Sequence, residues 1–308
     1  MKKVFAIDPT SHIDQSGNPT NLGDIVIKDA ISRLLTNANI EPIWVPFGTV
    51  PNGDLIIGGA NVLAKLSFKN KYTWNLLDFL NYRHRVVLFG VGWWQYQKSS
   101  NILDRRVYRR VLNNKNVIHS VRDSYTKIRL QEMGVNSVIN TSCPTTYFIE
   151  DISNHKKDSV VFTVTDYFKD HLYDKLMIEI LLENYSNVHF FPQGSEDESY
   201  INTMGISQHI NIMEPNLDSF DNLFKDNNID YVGTRLHGGI RAHQHGARAI
   251  ILSVDNRAEE IKKDINLNVI RRGDLSSLEI AINNKLNSLN LKKTEMKFFI
   301  NNLKTYFT

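Results

Sequence analysis

Tyr231-Val232-Gly233-Thr234-Arg235-Leu236-His237-Gly238-Gly239-Ile240 is the stretch whose reading decides the fold. An apolar strand ends at Val232, Gly233 and Thr234 turn the chain, and a helix is expected to start near Leu236. A helix start presents backbone N–H groups and the positive end of the helix dipole, and both attract anions. Arg235 adds a planar fork that suits a carboxylate or phosphate. His237 exchanges protons near neutral pH, and Gly238 and Gly239 allow a ligand or another backbone to come close. Taken singly, these residues read more simply as a surface arginine and a core histidine. Their crowding at one strand-to-helix junction favours an anion-binding and proton-transfer centre.

Working outward, short apolar runs alternate with amphipathic segments along most of the chain. Val4–Ile7, Ile43–Val45, Leu55–Ile57, Val86–Phe89 and Val117–Ser120 read as strands. Leu22, Val26, Ala30 and Leu34 recur at helical spacing behind a capping Asn21, and further helical patterns run over 73–81, 102–113 and 123–133. Pro144 and the polar run 150–158 interrupt the rhythm, so the domain boundary is placed at 150/151. The rhythm restarts with strands expected at Val160–Val164, Val188–Phe191, Ile210–Met213, Tyr231–Val232 and Ala249–Val254. The pattern predicts two α/β units in tandem, 1–150 and 151–308, each a parallel sheet covered by helices, with strand ends lining a cleft between them. A basic amphipathic helix over 291–304 carries Met296, Phe299, Ile300 and Leu303 on one side. It is expected to pack back onto a domain, and contact with a membrane surface is the second reading.

Composition narrows the function classes. Apolar residues make up 42% of the 308 residues and charged residues 22%, as in ordinary globular proteins. A net charge of +3 with scattered basic residues gives no nucleic-acid footprint. Cys143 is the single cysteine, so no intrachain disulfide or cysteine-based zinc site forms, and a reducing cytoplasm is expected. No run is apolar enough to span a bilayer, and oligomeric state is not readable.

Other segments carry candidate chemistry. Asn21-Leu22-Gly23-Asp24 opens a helix, where Asn21 caps and Gly23 and Asp24 offer an N–H and a carboxylate to a ligand. Gly58-Gly59 follows a strand and permits close approach, although the spacing is neither that of a dinucleotide fingerprint nor of a P-loop. Trp93, after Gly90-Val91-Gly92, either stacks on a sugar or packs in the core. Ser120-Val121-Arg122-Asp123-Ser124 again joins a strand end to a helix, with Arg122 directed to the expected cleft and Ser120 beside it. Arg241 follows His237 by four residues and so shares its helix face. His243 and His245 do not share one, and no carboxylate stands at ligand spacing, so no metal is expected.

In order, Asn21-Leu22-Gly23-Asp24, Gly58-Gly59, Ser120-Val121-Arg122-Asp123-Ser124 and Thr234-Arg235-Leu236-His237-Gly238 resemble the polysaccharide pyruvyltransferase family. Asp255-Asn256-Arg257 stands where that family tends to have Asp-x-Lys/Arg. Ala60 replaces a frequent third glycine, and Gly246-Ala247-Arg248 a frequent Gly-x-Pro. The resemblance implies two Rossmann-like domains facing each other across a cleft in a GT-B-like arrangement, with the acceptor on the 1–150 side and the donor on the 151–308 side. It implies transfer of pyruvate from phosphoenolpyruvate to a sugar of a bacterial-type surface polysaccharide or its precursor, as a cyclic ketal, with no cofactor beyond the donor. Arg122 and Arg235, one from each domain, are expected to hold the donor's phosphate and carboxylate, and His237 to protonate its methylene. Asp24 or His237 deprotonates the sugar, which is free or lipid-linked. Two other readings stay open: a GT-B glycosyltransferase using a nucleotide sugar, and a non-catalytic sugar- or anion-binding module.

Overall fold

Strands buried on both faces read as continuous apolar runs, and here such runs form parallel sheets. In the computed structural model, which describes residues 3–13, 20–68, 73–113, 115, 117–226 and 228–307, the chain divides into two compact units. The first comprises Met1–His12, Ile27–Tyr147 and Leu291–Thr308; the second comprises Ile13–Val26 and Phe148–Asn290.

In the first unit β1 (Val4–Ile7), β2 (Ile43–Val45), β3 (Asp54–Gly58) and β4 (Val86–Phe89) pair in parallel in the order β2-β1-β3-β4. β5 (His119–Val121) and β6 (Val138–Asn140) form a further parallel pair. The Gly90 N–H donates to Ser120 O at 2.9 Å and the Arg122 N–H to Val91 O at 2.9 Å, which carries the ladder on from the end of β4. These strands are accompanied by α1 (Leu22–Asn37), whose first turn is counted with the second unit, by α2 (Ile102–Leu112) and by α3 (Ser124–Glu132). Asn101 and Asp104 form a reciprocal capping box that starts α2.

The Gly58-Gly59 turn is set by this packing. A Cβ on Gly58 would strike Ile31, and one on Gly59, whose φ is +66°, would strike Ile27, both from α1. These glycines let the helix lie close on β3, and that close packing replaces the expected ligand approach. We expect Gly59→Ala to lower unfolding free energy by about 3 kcal/mol, combining left-handed strain with overpacking, as read from a urea midpoint.

The second unit holds β7 (Ser159–Thr163), β8 (Asn187–Phe190), β9 (Asn211–Ile212), β10 (Ile229–Gly233), β11 (Ala249–Ser253) and β12 (Val269–Arg271). They pair in parallel in the order β12-β11-β10-β7-β8-β9. Its helices are α4 (His171–Asn184), α5 (Asp197–Asn202), α6 (Leu217–Asn222), α7 (Leu236–Gln244), α8 (Asn256–Ile265) and α9 (Leu275–Asn283). Strand order reverses between β7 and β10, and ligands of open α/β sheets bind outside the carboxyl ends at such a switch point. Arg248, in the loop before β11, is buried; it pairs with Asp230 at 2.9 Å and donates to the Ile282 and Asn284 carbonyls at the end of α9.

α10 (Lys293–Phe307) closes the chain within the first unit, burying Met296, Phe299, Ile300 and Leu303. Phe299 packs on Phe89 at 5.0 Å, and the Tyr306 hydroxyl accepts the Ile118 N–H at 3.0 Å. Residues 13–26, read from sequence as part of the first domain, belong to the second unit. The backbone of residues 20–26 is tied there, with the Leu22 N–H donating to Gln193 O at 2.9 Å and the Ser195 N–H to Thr20 O at 3.3 Å. The helical pattern over 73–81 yields only one 3-10 turn, Leu76–Phe79, because Trp74, Leu76 and Phe79 are all drawn into the core. β6 and β12, unpredicted, are three-residue edge strands, too short to show a period.

Candidate functional site

The carboxyl ends of β7, β8 and β10 meet at the switch point of the second sheet. β10 ends at Gly233, where a Cβ would lie 2.7 Å from backbone atoms of Thr163. The Thr234 N–H donates to Thr163 O at 3.1 Å, and its hydroxyl meets that of Thr165 at 2.8 Å. α7 then begins at Leu236, as its sequence predicts, and Arg235 at the N-cap position gives it no side-chain cap. The helix's positive end is therefore not covered by its own capping residue.

Gln193, beyond β8, organises the glycines around this start. A Cβ on Gly238 would sit 2.8 Å from Gln193 Oε1, and one on Gly23 would sit 2.8 Å from Gln193 Nε2. Gln193 Nε2 donates to Asn21 Oδ1 at 3.0 Å, and the Gly23 N–H donates to the same oxygen at 3.0 Å. Asn21 therefore caps α1 and holds Gln193. The Cβ position of Gly23 is 3.3 Å from the Cβ of His237, so the first turn of α1 lies against buried His237 on the first turn of α7.

That arrangement brings Asp24 to the same place. The side chain of Asp24 is half-buried and makes no hydrogen bond to any described residue. Burial pushes its pKa up to about 7, against the pull of the Arg257 and Arg235 cations. A carboxyl poised near neutrality beside two guanidinium groups is suited to proton transfer.

Arg235 behaves differently from its sequence reading. It is 3% exposed, and its fork is engaged by protein: Nε donates to Val164 O at 2.9 Å and to Asp197 Oδ2 at 3.1 Å, and Nη2 to Asp166 Oδ1 at 2.8 Å and to Asp197 Oδ1. A donor carboxylate or phosphate cannot grip it bidentately without displacing Asp197. Burial alone would lower its pKa, but Asp197 and Asp166 hold it above the ordinary value, so it stays charged. Asp197, buried at the start of α5, also accepts the Gly194 N–H at 2.8 Å and the Asp166 N–H at 3.1 Å. Arg235 thus pins the ends of β7, β8 and β10 together and positions α7.

Tyr167 lies against this cluster. The Arg235 guanidinium stands 5.0 Å and the Arg257 guanidinium 5.8 Å from its ring, which is 49% exposed. Arg257 Nη2 donates to the Tyr167 hydroxyl at 2.5 Å, and Nε to Asp255 Oδ2 at 2.8 Å. Asp255 caps α8 by accepting the Arg257 N–H.

Other predicted residues fall elsewhere. Arg241 is engaged by Asp221 at 2.9 and 2.5 Å and by Gln244 at 2.9 Å, and His245 shares that carboxylate at 2.9 Å, so Arg241 serves α6–α7 packing. His243 is buried, and its pKa is lowered to about 4 by burial. In the first unit Arg122 is 1% exposed, with Nη2 donating to Asn61 Oδ1 at 3.0 Å and Nε to Asp123 Oδ2 at 3.3 Å, and it packs over Gly92. Its planar group holds strand-end loops together. The Ser120 hydroxyl is buried, where it pairs with the Thr141 hydroxyl and accepts the Gly90 N–H. Trp93 is fully buried, stacked on Tyr108 at 5.7 Å and under Arg129 at 5.3 Å, which rules it out as a sugar platform. Trp93→Ala is expected to cost about 3–5 kcal/mol in a denaturant melt, whereas a stacking role predicts a raised KM at unchanged stability. Among the described residues no helix is long and apolar enough to cross a membrane, and no three His, Cys, Asp or Glu converge on a metal-holding position.

The fold is of the GT-B glycosyltransferase and epimerase class. UDP-GlcNAc 2-epimerase of Methanocaldococcus jannaschii, in complex with UDP-GlcNAc and UDP, aligns over 99% of this chain and 100% of its own, with TM-score 0.58 and 13% identity. The S. aureus MnaA–UDP structure aligns over 99% and 97%, with TM-score 0.58 and 11% identity. The lipopolysaccharide outer core galactosyltransferase WaaB aligns over 99% and 98%, with TM-score 0.50 and 10% identity. At such identities the likeness shows the fold alone. No curated protein matches the sequence. The polysaccharide pyruvyl transferase family profile matches residues 21–256, from Asn21 through Asn256, and the chain belongs to that family.

Proposed function

We propose that the chain transfers pyruvate from phosphoenolpyruvate to a saccharide, leaving a cyclic ketal and releasing phosphate. The observation that carries this reading is the near-neutral Asp24 carboxyl, set with His237 at the start of α7 in a chain of this family. The donor's anionic groups are assigned to the positive end of α7 and to Arg257, while Arg235 positions both. His237 delivers a proton to the methylene carbon, and the electron pair of the double bond forms the new C–H bond. Positive charge develops at C2, a sugar hydroxyl adds there, and Asp24 takes its proton. Phosphate leaves with the C2–O electron pair, and a second hydroxyl closes the ketal as its proton passes to phosphate.

The test supplies phosphoenolpyruvate with a panel of free and lipid-linked saccharides. Phosphate release matched by a pyruvyl mass gain on one acceptor is the expected result. Nucleotide release from a UDP-sugar instead assigns a glycosyltransferase, and binding of either donor without turnover assigns a non-catalytic module.

A further inference from the structure

α2 is divided sharply by burial. Val107, Tyr108, Val111 and Leu112, with the capping Asp104, face the core of the first unit. Its outer face carries Arg105, Arg106, Arg109 and Arg110, all exposed. Arg105 donates to Ser100 Oγ, Arg109 to the Arg105 carbonyl and Arg110 to the Leu80 carbonyl, and none of the four pairs with a carboxylate among the described residues. The acidic residues on adjoining elements are Asp78, which accepts from Asn75, and Glu132, which is held by Arg129. A solvated helix face normally mixes both signs. This one holds four positive charges in a protein whose net charge is +3.

At the amino end of the same face Ile102 is 70% exposed and Leu103 59%, with Tyr96 58% exposed on the preceding loop. Arginines one turn apart, followed toward the helix start by bare aliphatic groups and a tyrosine, match the chemistry of an anionic bilayer surface. The guanidiniums meet headgroup phosphates and the aliphatic groups enter the acyl boundary. A soluble polyanion would use the arginines but leave Ile102 and Leu103 in water. The other basic amphipathic helix, α10, has its apolar stripe buried within the first unit and offers only Phe298.

We propose that the outer face of α2 docks the protein on an anionic lipid surface. This surface is independent of the pyruvyl-transfer assignment. The test is co-sedimentation of the full chain with phosphatidylcholine vesicles, with and without phosphatidylglycerol. Binding is expected only to the anionic vesicles, falling steeply with salt. Each Arg→Gln change on α2 is expected to weaken partition about fivefold, the equivalent of ~1 kcal/mol per arginine near the membrane. Ile102→Ser with Leu103→Ser should weaken the binding that persists at high salt. A thermal melt confirms that each variant is folded. Unchanged binding in the variant lacking all four arginines, no binding by the wild type, or binding to soluble polyphosphate but not to vesicles overturns the proposal.

Discussion

Asp24→Asn is expected to reduce turnover by about 10²–10⁴ and to abolish the acidic limb of the pH–rate profile near pH 7. As a base, Asp24 works only when ionised, so wild-type activity rises with pH through that value. The same substitution should stabilise the protein. Its folded pKa of about 7 lies above the unfolded value near 4, so stability linked to its protonation is fully present below about pH 4 and lost as pH rises through about 7. Asn carries no charge to desolvate. A gain of about 2 kcal/mol is therefore expected at pH 8 and none at pH 4, read from urea melts at the two pH values. A variant that is both less active and more stable above neutrality distinguishes a functional carboxyl from a structural one. His237→Ala should lose turnover by a similar factor while leaving the acidic limb in place.

Asp197→Ala is expected to lose about 3–5 kcal/mol of stability, because it leaves the Arg235 guanidinium buried without its main partner. Replacing both, with Arg235→Met and Asp197→Leu, should recover most of that loss, since neither buried charge then remains unpaired. Activity should not recover in the double variant, because the guanidinium that holds the Val164 carbonyl and Asp166 beside the start of α7, and whose charge acts on Asp24, is gone. Denaturant melts and turnover measured on the same three proteins separate the two roles.

The strand–turn–helix of Gly233–Gly239 was legible because turn, helix start and ionisable groups fall within a few consecutive residues. Asn21 and Asp24 were legible as a helix opening, but neither the near-neutral acidity nor the contact with α7 is a local property. The contact depends on Gln193, which strand order brings in from far along the chain, and the acidity on burial offset by Arg257 and Arg235. The partners of Arg235 were missed for the same reason, since Asp166 and Asp197 follow β7 and β8. Phe190-Phe191-Pro192-Gln193-Gly194, a strand end followed by glycine, was the available signal for that segment. Arg241 shows the opposite failure. Helical spacing placed it with His237, but Asp221 on α6 claims its guanidinium, and no periodicity reveals a partner on another element. Arg257 stood in a recognisable Asp-x-Arg, yet its association with Tyr167 is visible only in three dimensions.

Running the reaction in D₂O and reading the product by mass spectrometry tests the central claim most directly. Proton delivery to the phosphoenolpyruvate methylene predicts a ketal whose methyl group carries solvent deuterium, with release of inorganic phosphate, and predicts that His237→Ala makes this product far more slowly. A product that keeps the enol double bond, or a glycoside formed with release of nucleotide, would contradict it.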